Sequence, residues 1–327
     1  YAGTTAPAIN DLSFTVPAGE VCVLVGPSGC GKTTAMRMVN RMIDITGGDI
    51  LIDGKGVKNR QPSELRREIG YVIQNVGLFP HLSITNNIGT VPRLLGWDKK
   101  RIAARSAELL ELIGLPAEMG KRYPSQLSGG QRQRVGVARA LAADPPLMLM
   151  DEPFGAIDPI NRDRLQNEFL RLQREIRKTI VFVTHDIDEA IKMGDRIAIL
   201  KEGGELVQYD TPDNILANPV NEFVSQFVGA DRALKRLSLT RMTDLTLERQ
   251  VTGQPSQATV SVNSTLRDAL SLLMIENLAP LPVVDDNNQS VGYVTIDLIN
   301  DQLHKARAEE SGRHSDASLT KTGGSGE

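Results

Sequence analysis

The run GPSGCGKTT, from Gly26 to Thr34, carries the chemistry most easily read in this chain. Gly26, Pro27, Ser28, Gly29, Cys30, Gly31, Lys32 and Thr33 fit G-x-x-x-x-G-K-[ST], and Thr34 completes the phosphate-side run. Its glycines let the backbone curl so that successive N–H groups face phosphate oxygens. Lys32 supplies a point charge for the β- and γ-phosphates, and Thr33 offers a hydroxyl to Mg²⁺. A magnesium site also needs a carboxylate at a strand end. LMLMDEP (Leu147–Pro153) provides one in Asp151, and Glu152, one residue on, faces elsewhere and suits a general base for the attacking water. TIVFVTHD ends in His185, placed to contact a γ-phosphate. IGYVIQ ends in Gln74, placed to watch the metal or the water, so the metal set is Thr33, Gln74 and Asp151. A second stretch, YPSQLSGGQRQRVGVARAL, puts Ser128, Gly129, Gly130 and Gln131 at the start of a helical pattern. Such a start binds anions through exposed N–H groups and the helix dipole, yet this one has no lysine.

The surrounding pattern explains how these residues can meet. EVCVLVG is a β-branched run ending in glycine, a buried strand by pattern, and KTTAMRMVNRMI after it reads as a helix. DILIDG, IGYVIQ, LMLMDEP and TIVFVTHD read as further strands, NRDRLQNEFLRLQREIRK and IDEAIKMG as helices, and RIAILKEGGELVQYD as a hairpin around Gly203–Gly204. Strands alternating with helices predict an α/β core with a largely parallel sheet. Residues 83–141 read as a mostly helical insertion, including KKRIAARSAELLELIGL.

Composition bounds the partners. The chain has 327 residues, 40% hydrophobic and 24% charged, with net charge −3 and a sequence pI near 5.9. That length suggests two domains, and the acidic balance disfavours nucleic acid as a partner. No apolar run approaches the roughly 18 residues that span a bilayer. With no signal-like start, the chain is expected in the cytosol, meeting membranes through a partner; Tyr1 in place of Met suggests a missing N-terminus. Cys22 and Cys30 read as small buried residues, and His81, His185, His304 and His314 are too scattered for a zinc site.

GPSGCGKT, Gln74, LSGGQ at 127–131, LMLMDE, GAID at 155–158 and His185 occur in the order seen in ATP-binding cassette (ABC) ATPases, and residues 1–230 resemble that family. The resemblance implies a P-loop NTPase cassette with a parallel-sheet core, an antiparallel β subdomain and a helical subdomain at about 83–141, hydrolysing ATP with Mg²⁺. It implies two cassettes packed head to tail, each ATP lying between the phosphate loop of one and the signature of the other. Ser128, Gly130 and Gln131 would then touch the γ-phosphate across the dimer, Asp158 would lie in the loop crossing the interface, and Tyr1 would stack on adenine. Ile157 stands where leucine is more usual, and Ile73 where an aromatic residue is common. Tyr71–Trp97 and Phe227–Leu239 look like the branch that imports osmoprotectant quaternary amines such as glycine betaine, choline, carnitine or proline betaine. The implied partners are a second copy of the chain, a membrane permease docking after Gln74 at the cytoplasmic face of the inner membrane, and, indirectly, a substrate-binding protein. The alternatives are another importer class, a soluble non-transport ABC ATPase, or a regulatory module with a dead cassette. The last requires loss of Lys32, Asp151, Glu152 or His185, and all four are present.

Residues 231–256 read as a polar linker. Residues 257–305 resemble a single cystathionine-β-synthase (CBS) motif, a small α+β unit: ATVSV as a strand, TLRDALSLLMIEN as a helix, a hairpin turning at Asn287–Asn288, and DLINDQL as a second helix. A complete module has two such repeats. Thr295 and Asp297 are separated by one residue where nucleotide-binding repeats have two. That spacing argues against adenine-nucleotide sensing and leaves dimerisation open. Residues 306–327, without periodicity, are expected to be disordered.

Overall fold

The computed structural model describes residues 8–74, 76–155 and 157–303. The chain forms two compact units, dividing after Pro212.

The first unit is built around β1 (Val21–Val25), whose five residues are all buried. A strand with no polar position has to be covered on both faces, so it belongs at the centre of a sheet. It lies there. The elements in chain order are α1 (Lys32–Val39), β2 (Leu51–Ile52), β3 (Lys55–Gly56), α2 (Pro62–Glu68), β4 (Ile69–Val72), α3 (Ile84–Ile88), α4 (Thr90–Leu94), α5 (Lys99–Leu112), α6 (Gly129–Leu141), β5 (Leu147–Asp151), α7 (Pro159–Ile176), β6 (Thr179–Val183), α8 (Ile187–Met193), β7 (Arg196–Lys201) and β8 (Glu205–Asp210). The six-stranded sheet has the order β4-β5-β6-β1-β7-β8. All neighbours run parallel except β7 and β8. Strands β2 and β3 form a separate antiparallel ladder. Residues 83–141 hold α3 to α6, as the helical pattern predicts.

Register positions the site. Val72 pairs with Met150, Asp151 with Val183, and Val183 with Leu24. The four strands therefore end almost level. Gln74, Glu152, His185 and Gly26 each come within two residues of those ends, where open α/β sheets bind ligands.

The second unit contains α9 (Pro212–Ala217), α10 (Glu222–Val228), α11 (Arg232–Leu237), β9 (Val260–Ser261), α12 (Leu266–Ile275), β10 (Leu281–Val284) and β11 (Ser290–Val294), with residues 296–303 helical. Strand β10 pairs in parallel with β9 and antiparallel with β11. Asn288, in the expected turn, has φ 61°.

Residues 231–256 differ from the expected linker. Leu237 and Met242 are buried in the same core as Val260, Leu266, Leu273, Leu281 and Val283. Glu248 and Tyr293 exchange backbone hydrogen bonds at 3.2 and 2.8 Å. Gly292 is needed there, since a Cβ would lie 2.7 Å from Leu247 Cβ. The apolar residues of this segment are spread too thinly among polar ones to show a period, so their common burial is a tertiary effect. The boundary also moves from the expected residue 230 to Pro212. Tyr1 and residues 304–327, including the expected disordered tail, lie outside the described residues.

The packing predicts that Leu237→Ala destabilises the second unit by about 2–4 kcal/mol through cavity formation. Denaturant unfolding should show this as an early transition; an unshifted curve would mean that the segment is a linker after all.

Candidate active site

Strand β1 ends at Val25 and leads into Gly26, whose backbone the fold presses against β7. A Cβ there would sit 2.1 Å from the Leu200 carbonyl oxygen. The loop then turns into α1, which begins at Lys32. Lys32 is 6% exposed, and its Nζ donates to the carbonyls of Gly26 at 2.8 Å and Pro27 at 2.9 Å. A cation at a helix start opposes the helix dipole; the two carbonyls offset that cost and fix the charge inside the loop. Cys30 and Cys22 are fully buried free thiols, as expected.

Thr33 Oγ1 donates to Asp151 Oδ1 at 3.1 Å. Burial raises the Asp151 pKa, the Thr33 hydroxyl works against that rise, and the negative charge of Glu152 adds to it. A bound divalent cation would reverse the balance by favouring the carboxylate. A hydroxyl and a carboxylate side by side are the hard oxygen donors that fit Mg²⁺, which needs few protein ligands when substrate phosphates supply others. Among the described residues no cluster of three or more His, Cys, Asp or Glu could hold a metal by itself.

Glu152 has φ 43°. For a residue with a Cβ, that left-handed conformation costs about 1–2 kcal/mol. It releases the side chain from the alternation of the strand, while the Glu152 N–H still donates to Val183 O at 2.9 Å. The carboxylate is then held on both sides. Gln74 Nε2 donates to Oε2 at 3.2 Å, and His185 Nδ1 lies 3.1 Å from Oε1. The side-chain order Gln74, Glu152, His185 is the strand order β4, β5, β6. Gln74, expected to watch the metal or the water, thus reaches Glu152.

The signature residues form a self-contained helix start. Ser128 Oγ accepts from the Gln131 N–H at 3.2 Å, and Gln131 Oε1 accepts from the Ser128 N–H at 2.9 Å. This reciprocal capping box leaves the Gly129 and Gly130 amides as orphan donors of the first turn. Nothing stands within 4 Å of a Cβ built on Gly129, whereas one on Gly130 would touch Leu165. Asp158 caps α7 in the same way, accepting from Asn161 N at 3.1 Å and Asn161 Nδ2 at 2.9 Å. Those bonds from Asn161 lower the Asp158 pKa.

Sequence reasoning missed two residues that hold the loop after Gln74. Arg139 donates to the carbonyls of Val76 and Gly77 at 2.5 and 2.6 Å. Asn87, fully buried, accepts from Phe79 N at 2.7 Å and donates to Phe79 O at 3.1 Å. The signal available was an asparagine directly before Ile88, on the buried side of α3. Held this way, Phe79 is 42% exposed. In the second unit, the Thr295 hydroxyl donates to Glu248 Oε1 at 2.8 Å and accepts from the Leu298 N–H at 3.1 Å. Its bonds run within its own fold.

Comparison with known proteins agrees with this geometry. Residues 9–155 match the model of the ABC transporter family, and residues 253–304 match that of the CBS domain. The glycine betaine/carnitine/choline transport ATP-binding protein OpuCA of Bacillus subtilis (strain 168) is 51% identical over 300 residues, covering 91% of this chain and 77% of that protein. The chain belongs to the ABC transporter ATP-binding proteins. The osmoprotectant import ATP-binding protein OsmV of Salmonella typhimurium is 49% identical over 293 residues, covering 89% of this chain and 75% of that protein. Among solved structures, the cassette MJ0796 bound to ADP and Pi, a dimeric post-hydrolysis state, aligns with TM-score 0.55 and 33% identity over 63% of this chain and 90% of its own. The cassette fold is therefore that of an ATP-binding ABC ATPase, with a CBS domain attached. Among the described residues, no helix is long and apolar enough to cross a membrane.

The close approach of Leu200 predicts that Gly26→Ala abolishes ATP binding, because the Cβ would overlap backbone that cannot move without breaking the sheet. Titration with a fluorescent ATP analogue should give no saturable signal; affinity within threefold of wild type would refute this reading of the loop.

Proposed function

We propose that this chain powers the import of an osmoprotectant quaternary amine through a partner membrane permease by hydrolysing ATP at two composite sites. The observation that carries the hydrolysis is the Glu152 carboxylate, held at both oxygens by Gln74 and His185 one strand to either side. So held, it is oriented to take a proton from an attacking water. Lys32 and the loop amides receive the β- and γ-phosphates. Thr33 and Asp151 hold Mg²⁺, which when bound neutralises the developing charge on the phosphates. His185 adds a contact near the γ-phosphate.

The other half of the site comes from a second copy. The helix start Ser128–Gln131 presents the free amides of Gly129 and Gly130 and a helix dipole but no cation, and the partner's phosphate loop supplies that charge. Asp158, at the N-cap of α7, belongs to the loop crossing between the two cassettes, and Tyr1 is assigned to the adenine. The exposed apolar residues Ile73, Phe79, Leu94 and Leu95 suit a permease segment docking beside Gln74, which makes the chain peripheral at the cytoplasmic face of the membrane. A substrate-binding protein acts only through that permease. The choice of quaternary amines rests on the two relatives, near 50% identical over about nine-tenths of the chain, that are named for such transport. In the second unit, Met274, Ile275 and Leu278 are exposed and suit pairing with the CBS unit of a second copy.

Reconstituted with its permease and binding protein, the chain should drive ATP-dependent uptake of labelled glycine betaine, choline or carnitine; no uptake of any quaternary amine would exclude this transport class. Glu152→Gln should cut hydrolysis by about a hundredfold or more and preserve ATP binding, so unchanged turnover would remove the general base. Mixing Lys32→Ala with Ser128→Arg chains should restore one intact site per heterodimer. Dimerisation and turnover of the mixture no higher than either mutant alone would overturn the head-to-tail arrangement.

A further inference from the structure

Behind the site lies a buried carboxylate that the proposed mechanism does not use. Glu189, on α8, is 8% exposed, and Gln166, on α7, is 5% exposed. Gln166 Nε2 donates to Glu189 Oε1 at 2.9 Å. Each stands near a group already assigned a role. Gln166 is two helical turns beyond Asp158, and Glu189 is one turn beyond His185.

The corner that carries His185 is pinned at every neighbouring residue. Thr184, 2% exposed, donates its N–H to Leu24 O of β1 at 3.2 Å. Its Oγ1 accepts from the Asp186 N–H at 3.1 Å. Asp186 Oδ1 accepts from the Asp188 and Glu189 N–H groups. On the other side, Arg162 donates through NH2 to Ile157 O at 3.0 Å, the residue just before Asp158. Burial, with the negative charge of Asp186, raises the Glu189 pKa, and the Gln166 amide and the Arg162 charge work against that rise. An ion pair between Lys192 and Asp163 joins the same two helices at 2.5 Å, but it is exposed and contributes little.

These contacts form a chain: Glu152 to His185, His185 through α8 to Glu189, and Glu189 to Gln166 of α7, the helix that Asp158 caps and from which Arg162 holds Ile157. We propose that Glu189 is a positioning residue, which with Gln166 and Arg162 braces the His185 corner against the loop that carries Asp158. Removing the carboxylate would free the buried Gln166 amide and uncouple α8 from α7, the helix from which Arg162 restrains the loop. Substrate binding, set by the phosphate loop, would be untouched.

The inference rests on the roles assigned above to His185 and Asp158. Its test measures kcat and KM for ATP hydrolysis by the purified full chain. Glu189→Ala should lower kcat about ten- to a hundredfold with KM within twofold of wild type. Glu189→Gln, which keeps the acceptor for Gln166, should recover most of that loss. Combined with Asp158→Ala, Glu189→Ala should lose no more than the worse single variant, because both act on one loop. An unchanged kcat, a KM rising in parallel, or losses that multiply would overturn the brace. Where Glu189→Ala does not fold, Gln166→Ala gives the same reading, since it breaks the same bond from the other side. A wild-type chain without turnover would instead overturn the hydrolytic function itself, which keeps the two failures apart.

Discussion

The level ending of four parallel strands is the constraint on which everything else in the first unit depends. Parallel neighbours lie about 4.8 Å apart, and the pairing of Val72 with Met150, Asp151 with Val183 and Val183 with Leu24 brings their following residues to one edge. A one-residue slip between β5 and β6 would exchange the faces of every side chain on one strand and pull Glu152 away from His185. The continuous apolar runs of β1, β5 and β6 prevent such a slip only in combination with the covering helices. Precision at the site is thus a property of the whole sheet.

Local costs concentrate where the chemistry is. Glu152 adopts a left-handed backbone, Asp151 is a carboxylate in a half-buried place, and Lys32 is a buried cation at the wrong end of a helix dipole. Each is tolerable because a neighbour answers it: the Val183 carbonyl for Glu152, the Thr33 hydroxyl for Asp151, two loop carbonyls for Lys32. The site therefore holds its charges in place before any phosphate arrives. Groups aimed in advance need no reorganisation as charge develops.

Much of this was legible in the sequence because the chemistry is local. Glycine spacing before Lys32, an apolar run ending in Asp151–Glu152, and a helix start at Ser128 are patterns of a few residues, and the structure places all three as read. What sequence could not show was adjacency between strands. Gln74 was expected at the metal or the water because its strand was seen, but the order β4-β5-β6 that hands its amide to Glu152 is a tertiary fact. Arg139, Asn87, Gln166 and Glu189 were passed over for the same reason: a buried polar residue makes sense only once its partner, many residues away, is known. The segment after Asp231 was read as a linker because its few apolar residues join a core built by other elements.

The capping box at Ser128 and Gln131 has a consequence of its own. Because each residue satisfies the other, this helix start keeps its shape in water with nothing docked on it. Meeting a partner then costs the freedom to tumble but no refolding, so opening and closing can repeat in every cycle with little hysteresis. In the proposed dimer, a surface finished in advance would make a reversible latch, timed by the arrival of the nucleotide rather than by the slow ordering of a loop.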